Sequence, residues 1–146
     1  MRRILRAVAI TIVVFGLLTV GASAFEQKDF RRIDYADGSY AIISVQVEEE
    51  TRATAEDSKT YTYYNPSGRK CFSYTLYASF TYDGRGSRAE DCYSRASIYL
   101  SGWTGDSHDE YTSGDTAYGE AVFSGPDGEE RSVELSLTCD ADGNVS

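Results

Sequence analysis

The sequence predicts an all-β domain, an antiparallel β-sandwich of six to seven strands. Three observations carry this. Apolar residues recur with period two in segment after segment, the pattern of a strand with one buried face. Turn-forming clusters separate most of these segments: Asn65-Pro66-Ser67-Gly68, Asp83-Gly84-Arg85-Gly86 and Gly125-Pro126-Asp127-Gly128. Beyond residue 24 no segment shows a convincing helical stripe, so sheet packed on sheet is the architecture left. An immunoglobulin-like layout is the leading arrangement, and a small closed β-barrel is the alternative with the same strand count.

Residues 1–24 read as a secretory signal peptide. Met1-Arg2-Arg3-Ile4-Leu5-Arg6 is basic, Ala7 to Val20 is nearly all apolar, and Ala22-Ser23-Ala24 fits the cleavage site, placing the cut after Ala24. The apolar run is short for a membrane span. Cleavage would remove three arginines and no acid, taking the formal charge from −9 to −12. So acidic a chain is repelled by nucleic acid and by anionic membranes, which makes it a poor candidate for either, so no nucleic-acid partner is expected and no stable membrane span remains after cleavage. The expected location is extracellular, with association to the cell envelope as one form of it.

Residues 25–38 read as an N-terminal arm ending in the turn Tyr35-Ala36-Asp37-Gly38, and residues 39–146 as one domain. Ser39 to Val47 is a strand with Ala41, Ile43, Val45 and Val47 on one face. Glu48 to Ser58, acidic and aperiodic, reads as an exposed loop. Lys59 to Tyr64 is a strand, and the Asn65 to Gly68 cluster is a type I turn with Asn, Pro and Gly where that turn favours them. It leads into Lys70 to Tyr82, so the two strands form a hairpin. In the second of these, Phe72, Tyr74, Leu76, Ala78, Phe80 and Tyr82 make the apolar face. Cys71 shares the other face with Ser73, Thr75, Tyr77, Ser79 and Thr81, and so looks outward or lies near the strand start.

Cys92 to Trp103 reads as one strand. Its even positions, Cys92, Ser94, Ala96, Ile98 and Leu100, are the more aliphatic and point inward; Tyr93, Arg95, Tyr99 and Trp103 then face solvent. Thr104 to Asp115 is rich in Gly, Ser and Asp and reads as a loop. Thr116 to Ser124 is a strand with Ala117, Ala121 and Phe123 on one side. The last strand, Arg131 to Cys139, has Val133, Leu135, Leu137 and Cys139 inward. Two core-facing thiols from facing sheets in an oxidising compartment predict a Cys92–Cys139 disulfide. It would stabilise the fold by roughly 4 kcal/mol on the chain-entropy account. The third cysteine, Cys71, is a free thiol, an intermolecular bridge or the partner of one of the other two.

The ending Ser136-Leu137-Thr138-Cys139-Asp140-Ala141-Asp142-Gly143-Asn144-Val145-Ser146, with the Cys92-Tyr93-Ser94-Arg95-Ala96-Ser97 strand and the Ala121-Val122-Phe123 strand before it, resembles a group of small secreted proteins of Gram-positive, clostridia-like bacteria. The resemblance covers roughly the second half of residues 25–146 and brings no activity with it. It implies the same two cysteines, Cys92 and Cys139; Cys71 departs from that pattern.

Signals for catalysis are thin. The one histidine, His108, lies in Asp106-Ser107-His108-Asp109-Glu110, and no nucleophile-elbow or zinc-protease motif is present. No catalytic residue, metal or cofactor is assigned. Asp106, Asp109, Glu110 and Asp115 offer hard oxygen ligands for calcium, but their spacing matches no established calcium loop.

Aromatic side chains are the best functional clue: twelve tyrosines and one tryptophan serve a small domain. Tyr77, Tyr93, Tyr99 and Trp103 fall on faces assigned to solvent, where such rings stack on sugars or anchor proteins. Tyrosines on the outer face of a sheet also simply pair across strands. The leading expectation is a secreted, non-enzymatic binding module with a glycan or protein ligand. A secreted, bacteriocin-like antagonist is the alternative and a hydrolase comes third.

Overall fold

A computed structural model describes residues 26–48 and 54–146. The signal-peptide reading, its cleavage at Ala24 and the middle of the acidic segment at 49–53 lie outside the described residues. Eight strands follow in order: β1 (Glu26–Asp34), β2 (Tyr40–Glu48), β3 (Thr54–Tyr64), β4 (Lys70–Tyr82), β5 (Ser87–Ile98), β6 (Thr104–Ser113), β7 (Thr116–Ser124) and β8 (Glu130–Thr138). A 3-10 turn, Pro126–Gly128, joins the last two. The strands form two open antiparallel sheets, β1-β2-β3-β4-β5 and β6-β7-β8, each in sequence order. They pack as a sandwich. No helix of the described residues is long and apolar enough to cross a membrane.

Two segments expected to be irregular are strands. Residues 26–34 of the expected arm add β1 to the edge of the large sheet, and 104–113 of the expected loop form β6. Both are rich in polar residues, and residues 30–34 of β1 and the residues of β6 are mostly exposed, so neither shows an apolar alternation; pairing with β2 and β7 supplies the order that their side chains do not. Likewise β3 begins at Thr54, inside the expected loop, because its alternation is hidden: the inward positions 57 and 59 are Asp and Lys. The Asn65 turn forms as read, with the Gly68 amide donating to the Asn65 carbonyl at 2.9 Å and Gly68 at φ 74°.

Between the sheets, large residues from one meet small residues from the other. Tyr61, Tyr63, Phe72, Tyr74, Leu76 and Phe80 of β3 and β4 are buried against Ala117, Gly119, Ala121 and Phe123 of β7 and Val133, Leu135 and Leu137 of β8. The rings of Phe72 and Phe123 stack at 4.0 Å, joining the two layers. Gly119 is small by necessity, since a Cβ there would come within 2.8 Å of the Tyr74 hydroxyl. Each large side chain buried in this way contributes about 1.5–3 kcal/mol.

Two expectations are corrected by this packing, and the open reading of Cys71 is settled. Trp103 is 6% exposed, wedged against Tyr63 and Phe72 at centroid distances of 5.3 and 5.0 Å. Strand β5 ends at Ile98, and a turn at Leu100 to Gly102 resets the alternation that would have kept Trp103 outside. Cys71 lies at the start of β4, one of its two expected places, and is fully buried there, because the chain after β5 folds over it and the amides of Tyr99 and Leu100 both donate to its carbonyl. Ala96 and Ile98 keep the parity expected of them, opposite Tyr74 and Phe72, yet both are exposed, Ile98 at 42%. They sit on the edge strand of a five-stranded sheet that only three strands cover.

The predicted Cys92–Cys139 bridge is absent: all three cysteines are free. The carbonyl of Cys139 accepts the hydroxyl of Ser87 at the start of β5, whereas Cys92 lies five residues further along that strand. That is a separation on the order of 15 Å, and a disulfide requires Cα atoms within about 7 Å. Shared inward parity is not proximity.

Candidate functional site

The outer face of the five-stranded sheet carries the candidate site. Antiparallel register groups its outward residues into cross-strand rows. Glu56, Ser79 and Asp91 form one; Gln46, Ser58, Tyr77 and Tyr93 the next; Ser44, Thr60, Thr75 and Arg95 a third; Ile42, Thr62, Ser73 and Ser97 a fourth. Neighbours in a row lie about 4.8 Å apart and rows on one face about 7 Å apart. The face is thus mostly hydroxyl-bearing, with tyrosines at three places: Tyr77 with Tyr93, Tyr99, and Tyr40 stacked on Tyr64 at 4.7 Å.

Tyr77 and Tyr93 stand opposite each other in β4 and β5, and their rings stack at 4.7 Å with an interplanar angle of 8°. Tyr77 is half-buried; Tyr93 is 54% exposed, so one member of the pair remains open to a ligand. Beside them is a groove of about 270 Å³ bordered by Gln46, Glu56, Asp57, Ser58, Ser79, Asp91 and the two rings. The small serines of β3 and β4 leave the hollow. An extra residue in β5, where pairing passes from Ser79–Asp91 to Phe80–Ala89, makes a bulge at its edge. Bulges re-aim side chains, and here Asp91 turns one oxygen back to accept the Cys92 amide at 2.9 Å.

Tyr99 is six residues beyond Tyr93, about 20 Å along the same edge. It is exposed, its hydroxyl lies 3.2 Å from that of Ser73, and the ammonium of Lys70 sits 3.8 Å from its ring centre. The Ser73 hydrogen bond, aided by Lys70, lowers the Tyr99 phenol below its ordinary value. Between the two tyrosines run Arg95, Thr75, Ser73 and Ser97; Thr60 and Thr75 share a hydrogen bond of 2.9 Å. Tyr77, Tyr93 and Tyr99 therefore lie on one hydroxylated strip, from which Trp103 is excluded by its burial.

Reading the sequence alone misses Glu56, Ser58 and Asp91. The signal for the first two is the polar even-numbered alternation Glu56-Ser58-Thr60-Thr62, masked by the inward Asp57 and Lys59. Asp57 is 5% exposed, and the Lys59 amine donates to the Ser136 carbonyl at 2.8 Å across the sandwich, with burial lowering its pKa.

Other candidates stay apart from this face. Asp106, Asp109 and Glu110 lie along β6 and Asp115 in the turn after it, and no three His, Cys, Asp or Glu side chains among the described residues gather to hold a metal ion. His108 is exposed on β6 in the other sheet. Compared with protein-family models, curated proteins and solved structures, the chain matches none.

Proposed function

We propose that this protein is a secreted, non-enzymatic binding module that holds a glycan along the outer face of its five-stranded sheet. The observation that carries this reading is the Tyr77–Tyr93 stack at the rim of a groove. A tyrosine pair that served the sheet alone would need no hollow beside it. A pyranose ring has an apolar face suited to an exposed aromatic ring and a rim of hydroxyls suited to Ser, Thr, Gln and carboxylate side chains. The strip from Tyr93 to Tyr99 offers both along about 20 Å. Export rests on the signal-peptide pattern at residues 1–24.

Calorimetric titration of the purified protein with cell-wall fragments and host glycans tests the reading. Saturable binding should weaken at least tenfold in Tyr93→Ala, with the circular dichroism spectrum unchanged. Binding that survives in the Tyr93→Ala/Tyr99→Ala double variant removes this face as the site.

A further inference from the structure

We infer that the groove selects a sugar bearing a protonated amine. This rests on the glycan reading of the same face and adds the charge of its ligand. Glu56 and Asp91 sit in one cross-strand row with Ser79 between them. Their Cα atoms are therefore about 10 Å apart, with Ser79 forming the floor of the groove they border. The next row supplies Tyr77 and Tyr93, so a ring lying against Tyr93 presents its substituents to the two carboxylates. Both acids are exposed, and no Lys, Arg or His borders the groove among the described residues. Two arginines flank the groove on this face, Arg95 one row beyond Tyr93 and Arg88 one row beyond Asp91, where Arg88 lies 3.9 Å from Glu90.

An ammonium group on the sugar meets two carboxylates there and the π face of a tyrosine, which attracts cations. A neutral acetamide at the same position gains neither attraction, and a carboxylated sugar is repelled. Because the carboxylates are exposed, the preference is electrostatic and screened by salt. The phenol pair supplies affinity for the ring; the acids decide which ring.

The test compares glucosamine oligomers with N-acetylglucosamine oligomers of equal length, and both with spermidine, a flexible polyamine lacking a ring. Titrations run at low salt and at high salt. The amine oligomer should bind at least tenfold more tightly than its acetylated counterpart and than spermidine. That preference should collapse toward onefold at high salt and in Glu56→Gln/Asp91→Asn, whose circular dichroism spectrum should match the parent's. Equal binding of the two oligomers, or a preference that survives the double variant, overturns the amine assignment; if Tyr93→Ala still abolishes binding, the glycan reading stands without it. Spermidine binding as tightly as the amine oligomer overturns selection of a sugar. A folded protein that binds no member of either series defeats the amine assignment, and the glycan reading falls with it only if the cell-wall fragments and host glycans are not bound either.

Discussion

The indole of Trp103 lies against the α-carbon of Gly125: a Cβ at that position would come within 2.7 Å of Cζ2 and 2.8 Å of Cη2. Gly125 has φ −104°, open to any residue, so the glycine is required by contact and not by backbone conformation. Together with Tyr63 and Phe72 this contact closes one end of the sandwich. Gly125→Ala should therefore destabilise by about 1–3 kcal/mol through overpacking. Trp103→Ala should cost about 3–5 kcal/mol through the cavity it leaves. Urea denaturation checks both. The native emission should be that of a buried indole, moving to longer wavelength on unfolding; a solvent-exposed emission from the native protein would contradict the packing.

A second glycine ties down the end of the chain. Gly143 has φ +86°, and a Cβ there would meet the Tyr82 ring at 2.5–2.8 Å. Its turn is held by Asp140, which accepts the amides of Asp142 and Asn144 and the Asn144 side-chain amide. Gly143→Ala combines a disfavoured backbone conformation with a clash and should destabilise by about 1–3 kcal/mol. It should also speed hydrogen exchange at Thr138 and Ser146, whose amides each donate to the other's carbonyl. Unchanged exchange there would mean that the turn is not seated on Tyr82.

The three thiols should titrate as three, with or without prior reduction. Burial raises the pKa of each, Cys71, Cys92 and Cys139, so all should react slowly with a thiol reagent in the native state and rapidly on unfolding. Reductant should leave the melting temperature unchanged. A single titratable thiol in the oxidised protein, with a melting temperature that drops on reduction, would mean that the Cys92–Cys139 bridge forms after all.

Stability should fall at both pH extremes. Asp37, Asp83 and Asp140 are held below the ordinary 3.8: Asp37 by the Ser39 hydroxyl, Asp83 by the Arg85 and Gly86 amides, Asp140 by Asn144. A depressed folded value means a contribution present above 3.8 and lost as pH falls through the folded values. Burial pushes Tyr61, Tyr63 and Tyr74 above their ordinary 10, so above pH 10 the unfolded chain releases protons that the fold retains, and stability is lost. Lys59, lowered by burial from 10.5, and Tyr99, lowered from 10.0 by its Ser73 hydrogen bond, act in the opposite sense, whereas the three thiols raised by burial act with the tyrosines. Thermal melts across the pH range should show a plateau between about pH 5 and pH 9 with a decline on either side. A melting temperature that holds steady below pH 3.8 would mean that the aspartates are not retained in these hydrogen bonds.

The strand alternation, the turn clusters and the missing helical stripe determined an all-β fold before any coordinates. They also placed Tyr77 on the outer side of β4, Tyr93 on that of β5 and Tyr99 just beyond its end on the same side, because the face of a residue follows from strand period. What period two does not contain is which strand lies opposite, where a strand ends, or how far the covering sheet reaches. The turn after Ile98 buried Trp103; a three-stranded cover left Ala96 and Ile98 bare; separation along β5 kept Cys92 from Cys139. The groove belongs to the same class, since Glu56, Ser79 and Asp91 come from three strands and meet only through register. Alternation is a property of one strand, written in consecutive residues, whereas burial and binding depend on distances between strands that only the packed sheets set.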